Sequence, residues 1–281
     1  MTRRAIDERS GPSGRLDRRG FLRLAAGGAF VAGAGAWALP ASGCGAAAGA
    51  GPAAPAAPPT TGWNPGERAL LESAGEVLAI PALGVPEAAV LRRRARELEP
   101  ATDLATLERR MRATLVDSGG VGLAAPQVGV GARAILVTLD ARSPVPRTVW
   151  CVNPRIERRS DELQDDLEGC LSIPELCGLV RRQQALTVAY FDGTVEVELD
   201  VEGFDARIFQ HEIDHLDGVL YTDRMLGPAA PKEALRPLRD ELARRRAAGT
   251  AGDVLGPAEV ADLWRAVLEP SGEPAAAGDA P

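Results

Sequence analysis

Both histidines of the chain, His211 and His215, stand four residues apart in Gln210-His211-Glu212-Ile213-Asp214-His215. On a helix that spacing puts two imidazoles on one face, where they can bind a single metal ion. Glu212, beside the first, can then act as general base toward water. Such a metal needs a third protein ligand and an open position. Cys170, in Glu168-Gly169-Cys170-Leu171-Ser172 about 40 residues upstream, offers a thiolate. Free cysteines are also commonly inert core residues, and this segment alone does not decide between the two. Downstream, Glu233 and Glu241 offer carboxylates, the ligand pattern of a zinc endopeptidase, so that set stays open too. A third segment, Gly120-Val121-Gly122-Leu123-Ala124-Ala125-Pro126-Gln127, allows close approach of another part of the chain. Its Gln127 amide can donate to an oxyanion. Read alone, it is equally a Gly-rich connection between a helix and a strand.

These groups need elements to hold them. Thr102 or Asp103 can cap a helix in which Leu104, Leu107, Met111 and Leu115 share a face, with Gly119-Gly120 as its end. Residues 134–139 and 149–152 read as strands, the second stopped by Asn153-Pro154. Residues 185–191 and 194–201 flank Asp192-Gly193 as a hairpin. In the second of these, Val195, Val197, Leu199 and Val201 alternate with Glu196, Glu198 and Asp200, giving one buried and one wet face. Asp205 can cap the histidine helix, which runs to about Leu216 with Gly218 as its stop. Residues 232–248 are helical in composition, with Pro237 breaking or kinking them. The arginine run 244–246 reads as a solvated helix end, and 259–268 as a further short helix. Helix, strands, helix is an α+β order: antiparallel or mixed sheets packed around the helix that carries the histidines.

Composition narrows the class. The 281 residues include 32 Lys+Arg and 39 Asp+Glu, a net charge of −7, which argues against a nucleic-acid-gripping surface. Hydrophobic residues at 45% exclude wholesale disorder, and four cysteines are too few for a disulfide scaffold. Cys151 and Cys177 either pair in an oxidising compartment or stay as two thiols. Residues 1–44 read as an export signal of twin-arginine type: Arg18-Arg19 precede an uncharged Ala/Gly-rich apolar run over 24–39. That run is shorter than the about 20 residues that span a bilayer comfortably. Ala41-Ser42-Gly43-Cys44 resembles a lipobox with Ala41 where Leu is usual, so lipidation of Cys44, with a membrane tether, and simple release are both open. By composition residues 45–63 read as an Ala/Gly/Pro linker, 64–228 as the domain that holds these groups, 229–269 as a helical extension and 270–281 as a disordered tail. The expected address is periplasm or cell envelope, with the cytoplasm as the alternative.

Together the three segments, GVGLAAPQ, EGCLS and QHEIDHLDG in this order, resemble the three motifs of peptide deformylase. The similarity runs from about Val77 to Leu226, and Val152-Asn153-Pro154, Ile173-Pro174, Arg182 and Asp223-Arg224 fit it. Arg181 departs from the Pro often found there, and residues 80–90 lack an Asp-Pro pair usual in the family. The resemblance implies that Cys170, His211 and His215 bind one divalent metal, normally Fe²⁺, with Zn²⁺, Ni²⁺ or Co²⁺ able to substitute. It implies Glu212 as general acid/base, with Gln127 and the Leu171 N–H as oxyanion donors. Val121, Gly122 and Glu175 would border the bound peptide, and Arg182 would sit beside the substrate channel or support it. The implied reaction removes the formyl group from N-formyl-methionyl peptides, by a monomer with no nucleic-acid partner. A non-catalytic deformylase-like binding protein and the zinc endopeptidase are the competing readings.

Overall fold

The chain is described here from a computed structural model, covering residues 62–99, 102, 104–248 and 254–268. The export signal, Cys44, most of the linker and the 270–281 tail lie outside the described residues.

Helix α1 (Pro65–Glu72) opens with a capping box, in which the Asn64 side chain and the Glu67 carboxylate each accept the other residue's backbone N–H. Helix α2 (Ala105–Ser118) buries Leu107, Met111 and Leu115 as its spacing predicts, and ends at Gly119 with φ 64°. Its N-cap is Leu104 without a side-chain cap, not Thr102 or Asp103. Packing of the apolar face sets this start, because tertiary contacts outweigh a cap of about 1 kcal/mol.

Strands β1 (Gly122–Ala124), β2 (Ala134–Leu139), β3 (Arg147–Arg159), β6 (Ala185–Phe191) and β7 (Glu196–Glu202) form an antiparallel sheet in the order β1-β2-β3-β6-β7. The continuous apolar run of β2 follows from burial on both faces. Leu136 packs with the α2 residues, whereas Ile135 and Val137 pack with Phe209, Ile213 and Leu216 on the opposite side. Asn153-Pro154 does not stop β3. Asn153 takes φ 49° and the register shifts there, so the strand passes a bulge and continues to Arg159. The β6–β7 turn spans four residues, 192–195, because the Asp192 carboxylate accepts the Thr194 and Val195 N–H groups and Val195 stays exposed.

The histidine helix, α3 (Gly203–Leu216), lies on that sheet. Its N-cap is Glu202; Asp205 falls in the first turn, where its carboxylate accepts the Asp140 N–H. Gly218, at φ 76°, supplies the left-handed stop.

Strands β4 (Leu163–Cys170), β5 (Ile173–Gln183) and β8 (Ala230–Pro231) form a second antiparallel sheet. Helices α4 (Arg236–Ala248) and α5 (Pro257–Leu268) cover it, burying Leu238, Leu242, Val260 and Trp264 with Leu179. Pro237 neither breaks nor kinks α4: it sits in the first turn, where its missing N–H has no partner to lose. Residues 232–235 precede the helix. Arg246 does not end in solvent alone, since it pairs with Asp166 of β4 at 2.8 Å. Cys151 and Cys177 are free thiols in different apolar clusters.

Candidate metal centre

Three elements converge on one point. α3 presents His211, Glu212 and His215, the end of β4 presents Cys170, and a short 3₁₀ turn (Ala125–Val128) after β1 presents Gln127. One ligand atom each from Cys170, His211 and His215 lie within 4.8 Å of one another. Cys170 Sγ is 3.3 Å from His215 Nε2. His215 is fully buried, and burial holds its pKa well below the usual imidazole value, so it stays neutral and keeps a lone pair.

Behind His211 stands Glu168. Its Oε2 accepts the Nδ1 proton at 2.9 Å, which fixes the tautomer and leaves Nε2 as the ligand atom. Burial works against the charge on Glu168, but the Arg182 guanidinium prevails and holds the carboxyl well below the usual range. Arg182 contacts both carboxylate oxygens at 2.9 Å, and Arg207 adds a bond at 2.8 Å. Arg182 also reaches Asp214 at 2.5 Å, and Asp214 holds Arg224 through two bonds of 2.6 Å. Burial opposes a charge on His211 too, yet Cys170 and Glu168 raise its pKa well above the usual value.

Glu212 is buried, its Oε2 has no hydrogen-bond partner, and burial pushes its pKa up to about 7. A Cβ at Gly122 would lie 2.9 and 2.8 Å from Glu212 Cγ and Cδ, so only glycine leaves room for this carboxylate. Gln127 Oε1 accepts the Ala124 N–H at 2.8 Å, which turns its Nε2 toward Cys170 Sγ at 3.4 Å. A cysteine sulfur, two imidazoles and an unpartnered buried carboxyl fit a divalent metal with one face open. The opening is a cavity of about 510 Å³ reaching Cys170, His211, Glu212 and Gln127.

The polypeptide deformylase family model matches residues 80–230 of this chain, more than half of its length. The chain belongs to the peptide deformylase family. The peptide deformylase of Desulforudis audaxviator is 44% identical over 140 residues, covering 48% of this chain and 86% of that protein. Peptide deformylase 2 of Gloeobacter violaceus is 41% identical over 138 residues, covering 48% and 74%. The crystal structure of the Thermotoga maritima peptide deformylase aligns at 38% identity, covering 54% of this chain and 99% of that one, with a TM-score of 0.48.

In this deformylase the metal-binding triad is Cys170, His211 and His215; neither Glu233 nor Glu241 joins it. Glu241 is held instead by Arg244 and Arg245. Val121, Gly122, Leu171 and Glu175 line the cavity. Arg182 does not: it is buried beneath Glu168 and Asp214. The roles of Glu168 and Arg207 were missed in the sequence, although Arg207, His211 and Asp214 recur at four and three residues and so share one helix face.

Proposed function

We propose that this deformylase removes the formyl group from N-formyl-methionyl peptides by metal-assisted hydrolysis, with Fe²⁺ as its usual metal. The observation that carries the reading is the Cys170/His211/His215 cluster, with Cys170, His211, Glu212 and Gln127 lining one cavity above the buried His215. Cys170, His211 and His215 would hold a divalent cation, whose Lewis acidity would make water a nucleophile near neutral pH and draw charge from the formyl oxygen. Glu212 accepts the proton of the attacking water and returns it to the departing amine, so formate and a free N-terminus result. Gln127 Nε2 and the Leu171 N–H donate to the oxygen as it gains charge; losing one such donor costs about 100- to 1,000-fold in rate. Phe204, Ile208 and Leu176 give the cavity an apolar wall suited to a methionine side chain.

Turnover of a short N-formyl-Met peptide tests the reading. The chain is purified without oxygen, loaded with Fe²⁺ or Ni²⁺ and compared with Glu212→Ala. Formate release that vanishes in the variant supports it; folded, loaded protein that releases none overturns it.

The Arg18-Arg19 signal and the Ala/Gly/Pro linker favour a site of action outside the cytoplasm, on formylated peptides there, with the chain either tethered through a lipidated Cys44 or released. The twin-arginine route carries folded proteins, so the metal can be loaded before export. Native protein recovered full-length from the cytosolic fraction would refute this address.

A further inference from the structure

Lys232 is the single lysine among the 32 basic residues of the chain. It lies two residues past the family match, which closes at residue 230, and it lines the cavity of the metal centre. Its backbone is anchored on both sides. β8 pairs with β5 through Cys177↔Ala230 and Leu176↔Pro231, and the Lys232 N–H extends that pairing to the Glu175 carbonyl at 3.4 Å. Just beyond, Leu235 and Leu238 enter the core under α4 and α5.

The charges on this wall are unequally committed. Arg207 is spent on Glu168 and on the Val180 and Gln164 carbonyls. Glu175 stands opposite Lys232 in register, but its left-handed backbone, φ 67°, takes it out of strand alternation. Among the described residues Lys232 makes no ion pair. Strained non-glycine backbone concentrates where a ligand is held. A lysine is a compact charge on a flexible stem, able to follow a partner whose position varies.

We infer that Lys232 is a specificity-determining residue that attracts a carboxylate carried downstream of the formyl-methionine. Two sources supply that chemistry: an acidic side chain, or the C-terminus of a short peptide. The inference rests on the deformylase reading and names the substrate class within it. An exposed pair of this kind is worth up to about fivefold in affinity and weakens with salt.

The test uses peptides that differ by one carboxylate. N-formyl-Met-Ala-Gly against its C-terminal amide isolates the chain end; N-formyl-Met-Asp-Gly-amide against its Asn counterpart isolates the side chain. In the wild type at least one pair should show a kcat/KM ratio of roughly two to five, carried by KM and shrinking in about 0.5 M NaCl. Lys232→Met should bring that ratio close to one, and Lys232→Arg should keep part of it. Equal ratios in wild type and Lys232→Met overturn the inference. Calorimetry with the deformylated peptides gives the same comparison without turnover. Formate released from none of the four peptides counts against the deformylase reading, and the calorimetric ratio still decides the role of Lys232.

Discussion

Glu168 and His211 meet at 2.9 Å, carboxylate Oε2 against imidazole Nδ1, while Arg182 holds the same carboxylate by both oxygens. The ring of one metal ligand is therefore oriented by a group that need not touch the metal. Glu168→Gln keeps the shape and weakens the contact. Metal affinity, read by competition with a chelator, should fall about 10- to 100-fold. Unchanged affinity would show that helix packing alone orients His211.

Glu212 gives the site a pH signature. Burial raises its carboxyl from 4.5 to about 7 in the fold. A raised acid stabilises the fold below its unfolded pKa and loses that contribution as pH rises through the folded one. Across that window the loss amounts to about 3 kcal/mol. In chelator-treated protein, Glu212→Gln should therefore gain most over wild type at pH 8 and little at pH 4.5. Urea midpoints at both pH values check the sign, and an equal gain at both would contradict it.

Gly122 predicts a steric effect on catalysis. A methyl group there meets the Glu212 carboxylate, so Gly122→Ala must displace it. A shift of about 1 Å in a reacting group costs about 100-fold. kcat should drop by that order with the metal content, measured by elemental analysis, unaltered.

Ligand choice separates the two metal readings. Cys170→Ala should abolish metal binding, whereas Glu233→Ala and Glu241→Ala should retain it. The reverse pattern, seen by equilibrium dialysis, would return the endopeptidase reading.

Support for the hairpin that carries Cys170 lies beyond residue 230. Trp264 is 5% exposed and packs in the core shared with Leu179 of β5. Trp264→Ala should cost about 3 to 5 kcal/mol in chemical denaturation. A loss under 1 kcal/mol would mean that α5 rests on the hairpin without bracing it.

The histidine pair was legible because chemistry dictates its spacing: two histidines one helical turn apart, with a glutamate between; Cys170 as third ligand came from the family resemblance, because spacing alone left Glu233 and Glu241 open. Strands β4 and β5 were not legible. Leu-Gln-Asp-Asp-Leu-Glu-Gly-Cys lacks the apolar alternation of a strand, because Asp165, Asp166 and Glu168 are matched by Arg181, Arg246 and Arg182 instead of facing water. Such matching is visible only once residues distant in sequence are neighbours. The bulge at Asn153 was hidden for a related reason. Asn-Pro is a local stop signal, and the ladder to β6 overrides it.

The line Arg224–Asp214–Arg182–Glu168–His211 alternates in sign from the partly exposed Arg224 to the metal ligand. This constrains how the sequence can drift. Replacing Arg182 strands the buried carboxylates of Glu168 and Asp214, and replacing Glu168 strands the buried Arg182 and Arg207, so tolerated changes there must arrive in matched sets. Residues far from the scissile bond are thereby bound to the same fate as those that touch it.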